Sequence, residues 1–163
     1  MPFKCIILDI DIIYNYEECY INALDAVKRF LKENHNIHNT FDIIYNDFYK
    51  KDSDLLYDEK NKIRHIGDKL KLSPNSIFYM LKIFDETYFN SIIVDEKILT
   101  LMRTLSDKFI DICIMSNKEY NESLKILERT NLISCVSYLD TSYDRRISRY
   151  DKQFIELFIY SYN

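Results

Sequence analysis

The sequence predicts an α/β fold: a short parallel sheet with three recognisable strands, and a block of α-helices inserted after the first strand. Three observations predict it. Apolar, β-branched-rich runs cover 3–8, 109–117 and 134–140, each short enough to be a buried strand. Between the first and second runs the apolar spacing changes to that of amphipathic helices. After the second run, strand and helix alternate, which argues crossover connections within one parallel sheet. The change of period sets the expected boundaries: an α/β unit formed by 1–15 and 92–163, and a helical insertion over 16–91.

Each helix has its own signal. The first runs over roughly Tyr16 to Glu33, with Tyr20, Leu24, Val27 and Leu31 on one face and Ile21 and Phe30 beside them. The second starts near Asn39 or Thr40 and carries Phe41, Ile44, Tyr45 and Phe48 inward. A third, less regular stretch is "SDLLYDEKNKIRHIGDKL". The fourth has a clear start, with Ser73 as cap and Pro74 at the first helical position; Ile77, Met80, Leu81 and Phe84 form its face. The fifth opens at Asp95 and turns Ile98, Leu101, Met102 and Leu105 inward. Past the second strand, a helix carries Leu124, Leu127 and Leu132 on its inner side, and a last helix starts near Tyr150.

Composition excludes several classes. Of 163 residues, 47% are hydrophobic and 29% charged, as in globular rather than disordered chains. The net charge of −4 comes from interleaved signs, so no basic stripe marks a nucleic-acid partner. No apolar run is long enough to span a bilayer, and the N-terminus lacks the pattern of a signal peptide. The expected setting is therefore the cytoplasm, without membrane. A single glycine, Gly67, excludes the glycine-rich loops that cradle nucleotides. Cys5, Cys19, Cys113 and Cys135 form no CxxC pair and read as reduced core residues, three of them in strands.

The stretch "CIILDIDII" raises the functional question, because Asp9 and Asp11 interrupt a greasy run. In an extended chain, residues two apart share a face, and the carboxyl ends of parallel strands are where ligands bind in open α/β sheets. Two close carboxylates repel, and Mg²⁺ would relieve that repulsion. On spacing alone, a second reading stands beside this one: both acids cap the following loop or face water. The second strand ends "ICIMSNK", which puts the hydroxyl of Ser116 and the amide of Asn117 before a helix N-terminus, as in an anion cradle. Ser116 or Asn117 as a simple helix cap is the alternative there.

With both motifs in view, the chain resembles the haloacid dehalogenase-like (HAD) hydrolases. "IILDIDII" is similar to their DxDx[TV] strand end. "ICIMSNK" is similar to their second motif, and "LKILERTNLISCVSYLDTS" to the segment before their third. The resemblance implies a Rossmann-like core with a helical cap, and a Mg²⁺-dependent phosphatase acting on a small phosphorylated molecule. It implies Asp9 as nucleophile, forming an aspartyl-phosphate, and Asp11 as general acid and base. Ser116 would hydrogen-bond a phosphoryl oxygen, with Asn117 nearby. Mg²⁺ would rest on Asp9 and on Asp11, in the family manner through the Asp11 backbone carbonyl.

The sequence departs from that pattern in three places. Ile12 stands where the family commonly has glycine. The third-motif lysine has no clear counterpart, and Arg149, near Arg145, Arg146 and Lys152, is the candidate for its positive charge. The chain stops at Asn163, before the acids of the fourth motif, with Asp140 and Asp144 as candidate replacements. Such an ending leaves the first strand at a sheet edge, which a homodimer or a larger complex is expected to cover. It also keeps two alternatives open: a catalytically degenerate binding or assembly module, and a fragment of a longer enzyme.

Overall fold

The computed structural model describes residues 5–51, 59–147 and 151–162. Phe3, the first part of the third helical stretch, Tyr150 and Arg149 lie outside the described residues, as does the side chain of Phe48. The chain divides into two compact units, Met1–Tyr16 with Ile92–Asn163, and Glu17–Ser91.

The first unit holds the sheet. Strands β1 (Cys5–Asp9), β2 (Asp111–Ser116) and β3 (Tyr138–Thr141) are all parallel, in the order β1-β2-β3. The central strand is the most buried, as its place between two neighbours demands: Ile112, Cys113 and Ile114 are fully buried. Helices α5 (Glu96–Asp107) and α6 (Tyr120–Arg129) follow the crossover pattern. A short α7 (Ser142–Arg145) and a final α8 (Lys152–Tyr162) close the unit. Phe154 and Phe158 of α8 pack with Cys113, and Tyr138 and Tyr162 border that cluster.

The helical unit contains α1 (Tyr16–His35), which begins at the boundary, then α2 (Thr40–Lys51), α3 (Glu59–Lys69) and α4 (Pro74–Asn90). Its core is made by Val27, Leu31, Phe41, Ile63, Ile66, Met80, Phe84 and Tyr88. Ser73 caps α4 with Pro74 in its first turn, and Asp95 caps α5, its side chain accepting the Lys97 amide at 2.7 Å. A polar cluster sits inside this apolar unit. The Tyr20 hydroxyl donates to Glu59 Oε2 at 2.6 Å and meets the Tyr45 hydroxyl, while Lys62 pairs with Glu59 Oε1 at 2.9 Å. Burial, with Glu59 beside it, pushes the Tyr20 hydroxyl far above the usual phenol range.

Several expectations are corrected. The buried stripe of α1 is Cys19, Ala23, Val27 and Leu31, one residue round from the expected Tyr20 and Leu24, and Ile21 is exposed. Leu101 also faces outward, and Ile126 takes the buried place assigned to Leu124. Phe109 is no strand residue: it adopts a left-handed conformation (φ 57°), is 95% exposed, and ends the turn before β2. Cys135 sits in a 3₁₀ turn, Ile133–Cys135, so β3 starts only at Tyr138. That turn takes Cys135, the first apolar residue of the run, out of the strand.

Candidate functional site at the strand ends

β1 ends at Asp9, and the chain then folds into a single 3₁₀ turn, Ile10–Ile12. Asp9 caps that turn: its Oδ1 accepts the amide of Asp11 at 3.0 Å. Extended alternation therefore stops at Asp9, and Asp11 is brought round by the turn rather than by strand pleat. Ile10 and Ile13 are fully buried and anchor the turn from below. Ile12 is 56% exposed and is absent from the positive-φ residues. The glycine-like flexibility expected at position 12 is thus not required, because a 3₁₀ turn keeps right-handed dihedrals.

The end of β2 lies beside it, with Met115 opposite Asp9 in the register. Ser116 is fully buried. Its Oγ accepts the Lys118 amide at 3.0 Å and a hydrogen bond from Ser123 Oγ of α6 at 2.8 Å. The Ser123 hydroxyl also reaches the Glu119 carbonyl at 3.0 Å, and its single proton serves one acceptor at a time. Asn117 is half-buried next to it. The amide of Tyr120, at the start of α6, donates to Asp144 Oδ2 at 3.0 Å, so a carboxylate sits where the helix dipole favours negative charge.

A cation completes the cluster. Lys118 Nζ lies 2.8 Å from Asp11 Oδ1 and 3.4 Å from Asn117 Oδ1, and 4.4 Å from the centre of the Tyr16 ring. The two charged side chains are 10% and 14% exposed, which makes this ion pair largely buried. Sequence reading missed Lys118. Its only local signal is a lysine two residues past an apolar strand, and its partner is 107 positions away.

The basic residues expected near the third motif are engaged elsewhere where they are described. Arg145 forks onto Asp140, with Nε at 2.9 and 2.8 Å from the two carboxylate oxygens and Nη2 at 2.6 Å, and it also reaches Ser161. Those hydrogen bonds hold the guanidinium more firmly charged than usual. Lys152 pairs with Glu156 on the surface, and Arg149 lies outside the described residues. Asp140 serves Arg145 and the Thr141 amide, and Asp144 serves Tyr120 and Thr141.

Among the described residues, no three His, Cys, Asp or Glu side chains gather into a group able to hold a metal ion. The donor chemistry at the β1 end still suits Mg²⁺, which is commonly bound by one or two carboxylates with water and substrate phosphate completing its shell. The protein's share of such a shell would come from Asp9 and Asp11.

No protein-family model and no curated protein match the sequence. Solved structures do match. A 2-haloacid dehalogenase from Pseudomonas syringae pv. tomato DC3000 aligns with a TM-score of 0.69 at 13% identity, over 98% of this chain and 73% of that one. A candidate β-phosphoglucomutase from Thermotoga maritima aligns with a TM-score of 0.71 at 13% identity, over 99% and 71%. A predicted phosphoglycolate phosphatase from Haemophilus somnus 129PT gives 0.59 at 13%, over 96% and 71%. At these identities the likeness carries the fold, and the fold of this chain is that of the haloacid dehalogenase-like hydrolases, a Rossmann-like core with an inserted helical cap.

Proposed function

We propose that this chain is a HAD-type phosphatase that hydrolyses a small phosphorylated molecule through an aspartyl-phosphate. One observation supports the reading: Asp9 lies at the carboxyl end of β1 with Asp11 in the turn behind it, Ser116 ends the adjacent parallel β2, and a largely buried ammonium sits on Asp11. Asp9 is the nucleophile. Its carboxylate oxygen forms a bond to phosphorus as the bond from phosphorus to the leaving oxygen breaks. Asp11 donates the proton that the leaving oxygen needs, and then takes one from the water that attacks the aspartyl-phosphate. Inorganic phosphate leaves and Asp9 is regenerated. The Ser116 hydroxyl, held by Ser123 and the Lys118 amide, donates to a phosphoryl oxygen, with Asn117 alongside. Mg²⁺, held by the Asp9 carboxylate and the Asp11 carbonyl, would shield the phosphoryl charge from the anionic nucleophile. Arg149 is a proposed further source of positive charge.

The test is Mg²⁺-dependent hydrolysis of p-nitrophenyl phosphate by wild type and Asp9→Asn. Turnover in wild type that falls at least about a thousand-fold in the variant is the expected outcome. No turnover in wild type, with an unchanged melting temperature on adding Mg²⁺, would sink the reading and favour a binding or assembly module.

A further inference from the structure

Burying an ammonium is costly unless partners compensate it. Lys118 has three partners of different kinds: the Asp11 carboxylate, the Asn117 side-chain oxygen and the face of Tyr16. Its backbone amide is fixed as well, on the buried Ser116 hydroxyl. The side chain leaves the end of β2 and turns back to the end of β1, so it spans the two strand ends that carry the candidate chemistry. The described basic residues of the 145–152 stretch are arranged differently: Arg145 is forked onto Asp140, and Lys152 is 88% exposed on Glu156.

A phosphoryl group entering beside Asp9 and Asp11 adds negative charge to the two carboxylates at the end of β1. At these strand ends the compensating side chain that the described residues offer is Lys118. Lysine suits that task, because an ammonium is a compact point charge with three donors and binds phosphate without needing a planar fork. The carboxylate and the Asn117 oxygen take two of its protons, and the ring holds the charge in place through its electron-rich face.

We propose that Lys118 is the phosphate-binding cation of this site, donating to a non-bridging phosphoryl oxygen while Asp11, Asn117 and Tyr16 hold its ammonium in position. The assignment rests on the phosphatase reading and adds to it a residue that takes the electrostatic part expected of Arg149.

The experiment measures inorganic phosphate binding by calorimetric titration with Mg²⁺ present, and kcat and KM for p-nitrophenyl phosphate. It compares wild type with Lys118→Met, Lys118→Arg and Tyr16→Leu. Phosphate affinity is expected to fall about tenfold or more in Lys118→Met, to recover in part in Lys118→Arg, and to fall less in Tyr16→Leu. KM should rise in parallel. If Lys118→Met lowers the melting temperature or kcat but binds phosphate as tightly as wild type, Lys118 is only the ion-pair partner of Asp11 and the proposal is overturned. If Lys118→Met does not fold, the same comparison is made with Lys118→Arg and Tyr16→Leu, and unchanged affinity in both overturns it. Phosphate binding that depends on Lys118, in a wild-type protein that hydrolyses no ester, supports the cation assignment while the phosphatase reading fails. Hydrolysis with binding indifferent to Lys118 does the reverse, and a wild type that neither binds phosphate nor hydrolyses the ester overturns both.

Discussion

At the scale of single residues, two buried side chains show how location rather than identity sets behaviour. Cys113 stands in the middle of β2, fully buried, and burial with Cys5 and Asp111 nearby pushes its thiol up to about 12. A raised thiol value means that the folded state prefers the protonated form. Its contribution to stability is therefore complete below the unfolded thiol value, about 8.5, and is lost as pH rises toward 12. Iodoacetamide at pH 8 should accordingly label Cys113 far more slowly in the native protein than in urea, as read by peptide mass analysis; equal rates would contradict the burial. Lys118 is the opposite case. It looks like any solvated lysine in the sequence, and only its ring and carboxylate neighbours bring it to the candidate site. Asp9, Asp11 and Ser116 were legible as candidates because polar residues follow two apolar strands in the order that the family resemblance requires. Lys118 was not, because a lysine after a strand is commonplace.

At the scale of elements, caps and periods were legible, and close approaches were not. Ser73 with Pro74, and Asp95, mark their helices because a short oxygen side chain satisfies amides that the helix leaves open. The inner stripe of α1 was misjudged by one residue, since Cys19 and Ala23 bury as readily as larger side chains yet weigh little in a hydrophobic count. The single glycine belongs to the same lesson. Gly67 lies inside α3, and a Cβ there would come within 2.7 Å of Ile77 Cγ1 on α4. Ile77 is β-branched and stiff at χ1, so it yields poorly. Gly67→Ala should therefore lose about 1 kcal/mol of unfolding free energy, since overpacking exceeds the gain in helix propensity. In an Ile77→Ala background, the same substitution should instead gain about 1 kcal/mol. Urea denaturation of the four proteins checks the cycle, and additive effects would refute the packing argument.

At the scale of the whole molecule, α8 is tied to the sheet by an apolar cluster and one polar link. Phe154 and Phe158 pack on Cys113, and the Tyr162 hydroxyl donates to Asp111 Oδ2 at 2.5 Å. That bond, with a second from Ser137, holds the Asp111 carboxyl below its usual range and raises the Tyr162 hydroxyl. A depressed carboxylate value gives stability that is present above the unfolded value, about pH 4, and is lost as pH falls through the lower folded one. Tyr162→Phe should flatten the acid limb of the stability curve below pH 4 while leaving its shape near neutrality alone. Chemical denaturation from pH 7 to pH 2.5 would measure it, and an unchanged acid limb would remove Asp111 from the account.

The sequence by itself determined the class of fold, the helical insertion after the first strand, and the residue types at the ends of β1 and β2. Those follow from hydrophobic period, capping chemistry and strand length, which are local properties of the chain. The tertiary structure decided which side chains meet. It replaced a pleated Asp9–Asp11 pair by a capped 3₁₀ turn, shortened β3, turned Arg145 toward Asp140, and brought Lys118 to Asp11 across 107 positions. The physical reason is that a parallel crossover sets strand ends side by side whatever the chain between them contains, so the contacts made there leave no local mark in the sequence.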